Sequence, residues 1–207
     1  MIYCLFEQSG TFKNVFIAKG LKAVDIDISN EFNQTDIITN IFDMLDNGFI
    51  SNLKDDDKII AFYPCTYFSD YNKLFINGKS NCYKNMDKEQ IKNYIINRRI
   101  TRHKYKNKLY QLIRQCNRKR IPLIIENPVS STIQQYLGMP AIKHARNKYG
   151  DYYKKPTVYY CYNCTINNNK LIVYNDVIMQ RVEKNRGIKR SIMSEKYAEN
   201  IINAIEW

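Results

Sequence analysis

The sequence predicts a doubly wound α/β fold with a basic helical segment inserted into it. Three observations predict this. The chain opens with an apolar strand, a turn holding one glycine, a helix and a second strand. Two later apolar strands end in a polar group beside a proline, Cys65 after Pro64 and Glu126 before Asn127-Pro128. Between them, residues 84 to 120 carry thirteen Lys or Arg against two acids, nearly all of the net charge of +12.

The chain has 207 residues, and one domain spanning 1–207 is the default. Hydrophobic residues make up 44%, which excludes a disordered sequence. No apolar run approaches the roughly 20 residues that span a bilayer, so no membrane partner is expected. Met1 to Gly10 carries Glu7 too early for a signal peptide. The expected location is cytoplasmic, with the six cysteines as reduced thiols. The positive charge points to a polyanion such as nucleic acid.

Ile2 to Phe6 reads as the first strand. Thr11 is a candidate N-cap for a helix carrying Phe12, Val15 and Phe16, ended by Gly20. Leu21 to Ile28 reads as the second strand and delivers Asp25 and Asp27. Such an opening suits a nucleotide, because a tight turn and unpaired helix N–H groups face the ligand while an acid meets ribose hydroxyls. Thr35 and Asp36 precede Ile37, Ile38, Ile41, Phe42 and Leu45 at helical spacing, so Asp36 reads as a cap, a first-turn charge or a ligand contact.

Ile59 to Tyr63 is a short buried strand, and Pro64 stops it. Cys65 then stands at a strand end, either as a structural thiol or as a site residue. Residues 66–86 read as a loop long enough to be a lid over Cys65. Residues 87–117 read as one long helix or a broken pair. Ile91, Ile95, Tyr105, Leu109, Leu112 and Cys116 form its apolar stripe, and Lys88, Lys92, Arg99, Arg102 and Lys106 its basic one. That basic stripe is either a solvated face or a phosphate-binding surface.

Ile121 to Ile125 is another buried strand, ending at Glu126. Ser130 to Leu137 reads as a helix. Tyr149 to Thr157 interleaves tyrosines with Lys154 and Lys155, which fits either base stacking and phosphate contact or a packed sheet. Val158 to Cys164 is β-rich, Leu171 to Val173 a short strand, and Ser194 to Ile205 a helix. Cys161-Tyr-Asn-Cys164 has metal-like spacing. On a strand its thiols would face opposite sides, and no second pair accompanies it, so no metal is expected. His103 and His144 are isolated.

Taken in order, these motifs resemble the DNA cytosine-5 methyltransferases, in particular the short phage-encoded branch. Leu5 to Thr11 is similar to the family's Phe-x-Gly-x-Gly loop, with Gln8 in place of a glycine. Tyr63-Pro64-Cys65-Thr66-Tyr67-Phe68-Ser69 resembles the nucleophile motif, and Ile125-Glu126-Asn127-Pro128 the Glu-Asn-Val motif. Tyr149 to Thr157 and Arg190-Ser191-Ile192 resemble C-terminal segments of that branch. The family's Arg-x-Arg motif has no clear match.

The resemblance implies a Rossmann-like methyltransferase sheet and S-adenosylmethionine as cofactor. It implies cofactor contacts from Phe6, Glu7, Ser9, Gly10, Thr11 and Pro64, with Asp25 at the ribose and Asp36 at the adenine amine. Cys65 would be the nucleophile and Glu126 the acid. Lys88, Lys92, Arg99, Arg102, Lys106, Lys154 and Lys155 would contact DNA. Tyr67 and Phe68 are candidates for lining the base pocket. A methyltransferase-like DNA-binding protein without activity, and an enzyme acting on RNA or free nucleotides, are the alternatives.

Overall fold

The structure, a computed structural model, describes residues 1–174 and 192–207. Its centre is a seven-stranded sheet: β1 (Ile2–Leu5), β2 (Ala23–Asp27), β3 (Ile37–Ile38), β4 (Lys58–Phe62), β5 (Leu123–Pro128), β6 (Ile142–Ala145) and β7 (Pro156–Tyr162). The order across it is β3-β2-β1-β4-β5-β7-β6. Neighbours from β3 to β5 pair in parallel, and β7 runs antiparallel between β5 and β6. The chain winds outward from β1 to β3, then restarts at β4 on the other side of β1. That reversal leaves a crevice at the carboxyl ends of β1 and β4, where open α/β sheets bind ligands.

Both faces of the sheet are buried, as the continuous apolar strands require. Along β4, Ile59 and Ala61 face one cluster and Ile60 the other, the period of two that a strand imposes. On one face pack α2 (Ile41–Asp46), α3 (Phe49–Asn52), α6 (Gln134–Leu137) and the inner half of α5 (Lys88–Lys119). On the other pack α1 (Thr11–Ala18) and α7 (Glu195–Ala204). A two-stranded ribbon, β8 (Thr165–Ile166) with β9 (Ile205–Glu206), ties the final helix down.

Helix α5 is one unbroken 32-residue rod, about 48 Å long at 1.5 Å per residue. Asp87 caps it, accepting from the backbone N–H groups of Glu89 and Gln90, while Gln90 reaches back to Asp87 N. Leu109, Leu112 and Cys116 bury its inner half, whereas Ile91, Tyr94 and Ile95 are only partly covered and Ile96 and Ile100 are exposed.

Several elements depart from expectation. Residues 66–86 are not an open lid: α4 (Asp70–Ile76) and a 3-10 turn at Asn81–Tyr83 form there and pack against the outer half of α5. Ile37 and Ile38 pair with Ile26 and Asp27 as edge strand β3, so the following helix starts at Ile41, with Asn40 accepting from Phe42 N. Asp36 is therefore not a helix cap. Gly10 (φ 68°), not Thr11, caps α1. The segment before α6 is turn rather than helix. Leu171 to Val173 is no strand: Ile172 is held instead by Asn200, which accepts from its N–H and donates to its carbonyl. Arg190 and Ser191 lie outside the described residues.

Candidate functional site

A cleft of about 570 Å³ opens at the crevice between β1 and β4. At one end it is lined by Pro64, Cys65, Thr66, Glu126 and Lys155. At the other it is lined by Phe6, Glu7, Gln8, Ser9, Asp27 and Phe32. Thr101, Lys104 and Tyr105 of α5 form a side wall. The cleft thus gathers the thiol, the acid, the first loop and a piece of the basic helix.

At the thiol end, the carbonyl of Cys65 accepts from both Phe68 N and Ser69 N at 2.9 Å, closing a tight turn after Pro64. Register places Phe62 of β4 opposite Glu126 of β5, so the two strand ends finish side by side. Asn127 Nδ2 donates to the Tyr63 carbonyl at 2.6 Å, locking the Glu-Asn-Pro end onto the Pro-Cys end. Thr157 of β7 donates through its hydroxyl to Glu126 Oε1 and fixes that carboxyl's rotamer. The Tyr63 hydroxyl donates to the Tyr105 carbonyl at 2.6 Å, which ties this strand end to α5. Burial pushes the Cys65 thiol up, Lys155 opposes that rise, and Glu126 adds to it. Lys155 is thus the cation acting on this thiol, the charge a thiolate needs to form.

At the loop end, Phe6 leaves β1 with φ 60°, a left-handed conformation rare for a bulky residue. Such backbone costs about 1–3 kcal/mol and persists where its surroundings enforce it. Here the Phe6 ring is pinned edge-on against Phe42 and Tyr63. Glu7 folds inward: its Oε1 accepts from Phe12 N at 2.9 Å and Ser9 Oγ at 3.2 Å. Asp27 ends β2 facing the cleft, accepts from Ser29 N at 2.8 Å, and is hydrogen-bonded by the Gln8 side chain. Burial pushes its carboxyl above the usual range.

Four of the expected cofactor residues do not line this cleft. Asp25 is fully buried behind it, since residues two apart on β2 have Asp27, not Asp25, at the strand end. Its ribose role is corrected accordingly. Lys13 Nζ stands 3.8 Å from Asp25 and 3.1 Å from Asp36, and Asp36 Oδ2 accepts from Asp25 N at 2.8 Å. Asp36 therefore clamps the connection after β2 instead of reaching the cleft. A Cβ on Gly10 would lie 2.9 Å from Gln34 Cβ, so this glycine admits a neighbouring chain segment. The Thr11 hydroxyl is occupied by Ser9 at 2.9 Å. Donor atoms of Cys4, Glu7 and Asp25 lie within 4.8 Å of one another in this backing layer.

Among the described side chains, none from 67 to 86 lines the cleft. Phe68 is core, and Tyr67 packs on Tyr105. Of the expected DNA contacts, only Lys155 lines the cleft. Lys88, Lys92, Arg99 and Lys154 are exposed. Arg102 donates to Thr132 Oγ1 at 3.1 Å and lies over Phe68. Arg99, Arg102, His103, Lys106 and Tyr136 surround a shallower hollow of about 370 Å³ beside the Cys65–Ser69 turn.

No protein-family model matches this chain, and no curated protein matches it. Sequence reading offered Asp25 and Asp27 together and gave the cofactor role to Asp25; it missed Lys155 as the cation on Cys65, and Thr101, Lys104 and Tyr105 as cleft wall. The position of Asp27 as the last residue of its strand was the available signal. For α5, nothing in the helical period says which turn passes the cleft.

Proposed function

We propose that this protein transfers a methyl group from S-adenosylmethionine to C5 of cytosine in DNA, through a covalent adduct with Cys65. The observation that carries the reading is the convergence of Cys65, Glu126 and Lys155 with the Phe6–Ser9 loop and Asp27 in one cleft. The residues present suit that cofactor. Asp27 offers a carboxylate where ribose hydroxyls would bond, and the Phe6–Ser9 backbone and Phe32 offer a wall for an adenosyl group. S-adenosylmethionine supplies an electrophilic methyl on a sulfonium.

The chain supplies the rest. C5 of cytosine is a weak nucleophile until a thiolate adds at C6. Cys65 makes that bond, with Lys155 lowering the cost of the thiolate. Glu126, held by Thr157, meets N3 and supplies its proton as the ring is activated. After methyl transfer, water takes the C5 proton, Cys65 leaves C6 as a thiolate, and Glu126 takes back the N3 proton, which restores the ring. The base leaves its stack to enter the cleft, and the basic face of α5 takes the flanking phosphates.

A second reading is a DNA-binding protein on this scaffold that transfers nothing. The Gln8–Asp27 hydrogen bond favours it, because it occupies the acid at the proposed ribose position. Calorimetric titration with S-adenosylmethionine and its demethylated product separates the two. Saturable heat, together with tritium transfer from labelled cofactor to DNA, is the expected result. Absence of heat with both ligands sinks the enzyme. Running the transfer assay with RNA and free cytidine nucleotides in parallel identifies the acceptor.

A further inference from the structure

The pair Cys161 and Cys164 has no part in the proposed methyl transfer, and its geometry differs from what a continuous strand would give. Strand β7 ends at Tyr162, and Asn163 takes φ 58°, turning the chain back toward β8. Both cysteines consequently pack against the same hydrophobic cluster, and their side chains hydrogen-bond one another. The Asn163 side chain pins the turn by donating to the Ile121 carbonyl at 3.0 Å and to Asn117 Oδ1 at 3.3 Å. The Cys164 thiol lies 3.7 Å from the Leu123 carbonyl. Both residues are partly exposed, unlike Cys4 and Cys116, which are buried. Cys82 is exposed but far along the chain from any of them.

We propose that Cys161 and Cys164 form a redox-active dithiol whose reaction partner is a low-molecular-weight disulfide of the glutathione class. The two thiols are not equivalent. Hydrogen bonding from Cys161 holds the Cys164 thiol below its usual range, and the same bond, with burial, holds Cys161 well above it. Cys164 is therefore the attacking group and Cys161 the resolving one. The Cys164 thiolate attacks one sulfur of the disulfide and expels a thiolate, leaving a mixed disulfide on Cys164. Cys161 then loses its proton to solvent and attacks Cys164 Sγ, expelling the second thiolate. The protein loses two electrons and two protons, and the small disulfide is reduced to two thiols. Register puts Tyr162 opposite Leu123 and Thr157 opposite Pro128, so this dithiol sits at the end of the strands away from the cleft. The inference is independent of the methyl-transfer reading.

The test equilibrates the full chain in mixtures of reduced and oxidised glutathione, quenches with acid, alkylates under denaturing conditions and maps the peptides. The expected result is loss of two hydrogens from the peptide holding Cys161 and Cys164, while Cys82 carries only a glutathione adduct. Full alkylation of both Cys161 and Cys164 at a poise where Cys82 is already glutathionylated would overturn the proposal. So would a disulfide joining either one to a different cysteine. Single variants assign the roles. Cys161→Ser should trap glutathione on Cys164, whereas Cys164→Ser should leave Cys161 unmodified over the same time. Equal or reversed trapping overturns the assignment. The wild-type titration stands even if a variant fails to fold.

Discussion

Two groups of acids and thiols flank the first turn of this sheet, one behind it and one in front. Behind lie Cys4 and Asp25, walled in by protein with Lys13 as the nearby cation, and Glu7 reaches them from the rim of the cleft. In front lie Asp27, Cys65 and Glu126, with Lys155 as the cation, all bordering an open cleft of about 570 Å³. The residue types are nearly the same. In the rear group Asp25 and Glu7 hydrogen-bond one another, carboxyl to carboxyl, and burial drives Asp25 up to about 9. In the front group the carboxyls are anchored by specific donors, Ser29 N for Asp27 and Thr157 for Glu126, and keep a face toward space. Perturbed titration alone therefore does not mark a site; open volume beside an anchored group does.

The largest expected effect is at the front thiol. Cys65→Ala should lower methyl transfer by roughly 10³-fold or more, while cofactor affinity measured by calorimetry stays unchanged. Retained transfer would remove the covalent route. Next is the contrast between two neighbouring acids. Asp27→Ala should weaken S-adenosylmethionine binding by about tenfold, the loss of one charged hydrogen bond, and Asp25→Asn should not. Equal effects from both would dissolve the distinction between front and rear.

Stability should show the opposite preference. Asp25 titrates at about 9 in the folded chain and near 3.8 in the unfolded one. Its contribution is fully present below pH 3.8 and is lost progressively as pH rises toward 9, at no more than about 1.4 kcal/mol per pH unit. Asp25→Asn mimics the protonated form, so it should raise the melting temperature at pH 8 and leave it nearly unchanged at pH 4. A lower melting temperature at pH 8 would mean that Asp25 is ionised and held by Lys13. The smallest effect is at Gln8. Gln8→Gly frees Asp27 and should tighten cofactor binding by a few fold; weaker binding would make Gln8 a ligand contact.

Much of this arrangement was legible in the residues. Apolar strands closed by Pro64 and by Pro128 announced their own ends, and the thiol and the acid beside them, Cys65 and Glu126, fell into one cleft. What was not legible has identifiable causes. Helical spacing and edge-strand pairing compete for Ile37 and Ile38, and only the exposed edge of β2 decides between them. Asp25 and Asp27 are distinguished by where the strand stops, and strand boundaries are the least determined part of any pattern. The loop reading of 66–86 failed because an aromatic cluster of Phe75, Tyr83 and Tyr94, with Arg98 over Phe75, supplies local packing that composition does not show. The turn at Asn163 likewise depends on one residue's left-handed backbone.

The unbroken length of α5 has a mechanical consequence. Its inner half is gripped by the core at Leu109, Leu112 and Cys116, and its outer half stands clear of the sheet. As a rigid rod it would pivot near Leu109. A tilt of about 10° would carry Lys88 through roughly 5 Å but Tyr105 through only about 1 Å. Tyr105 is bonded to Tyr63, one residue before Pro64. A coarse displacement at the charged tip would thus reach the Cys65 strand end scaled down to the size of a hydrogen-bond adjustment.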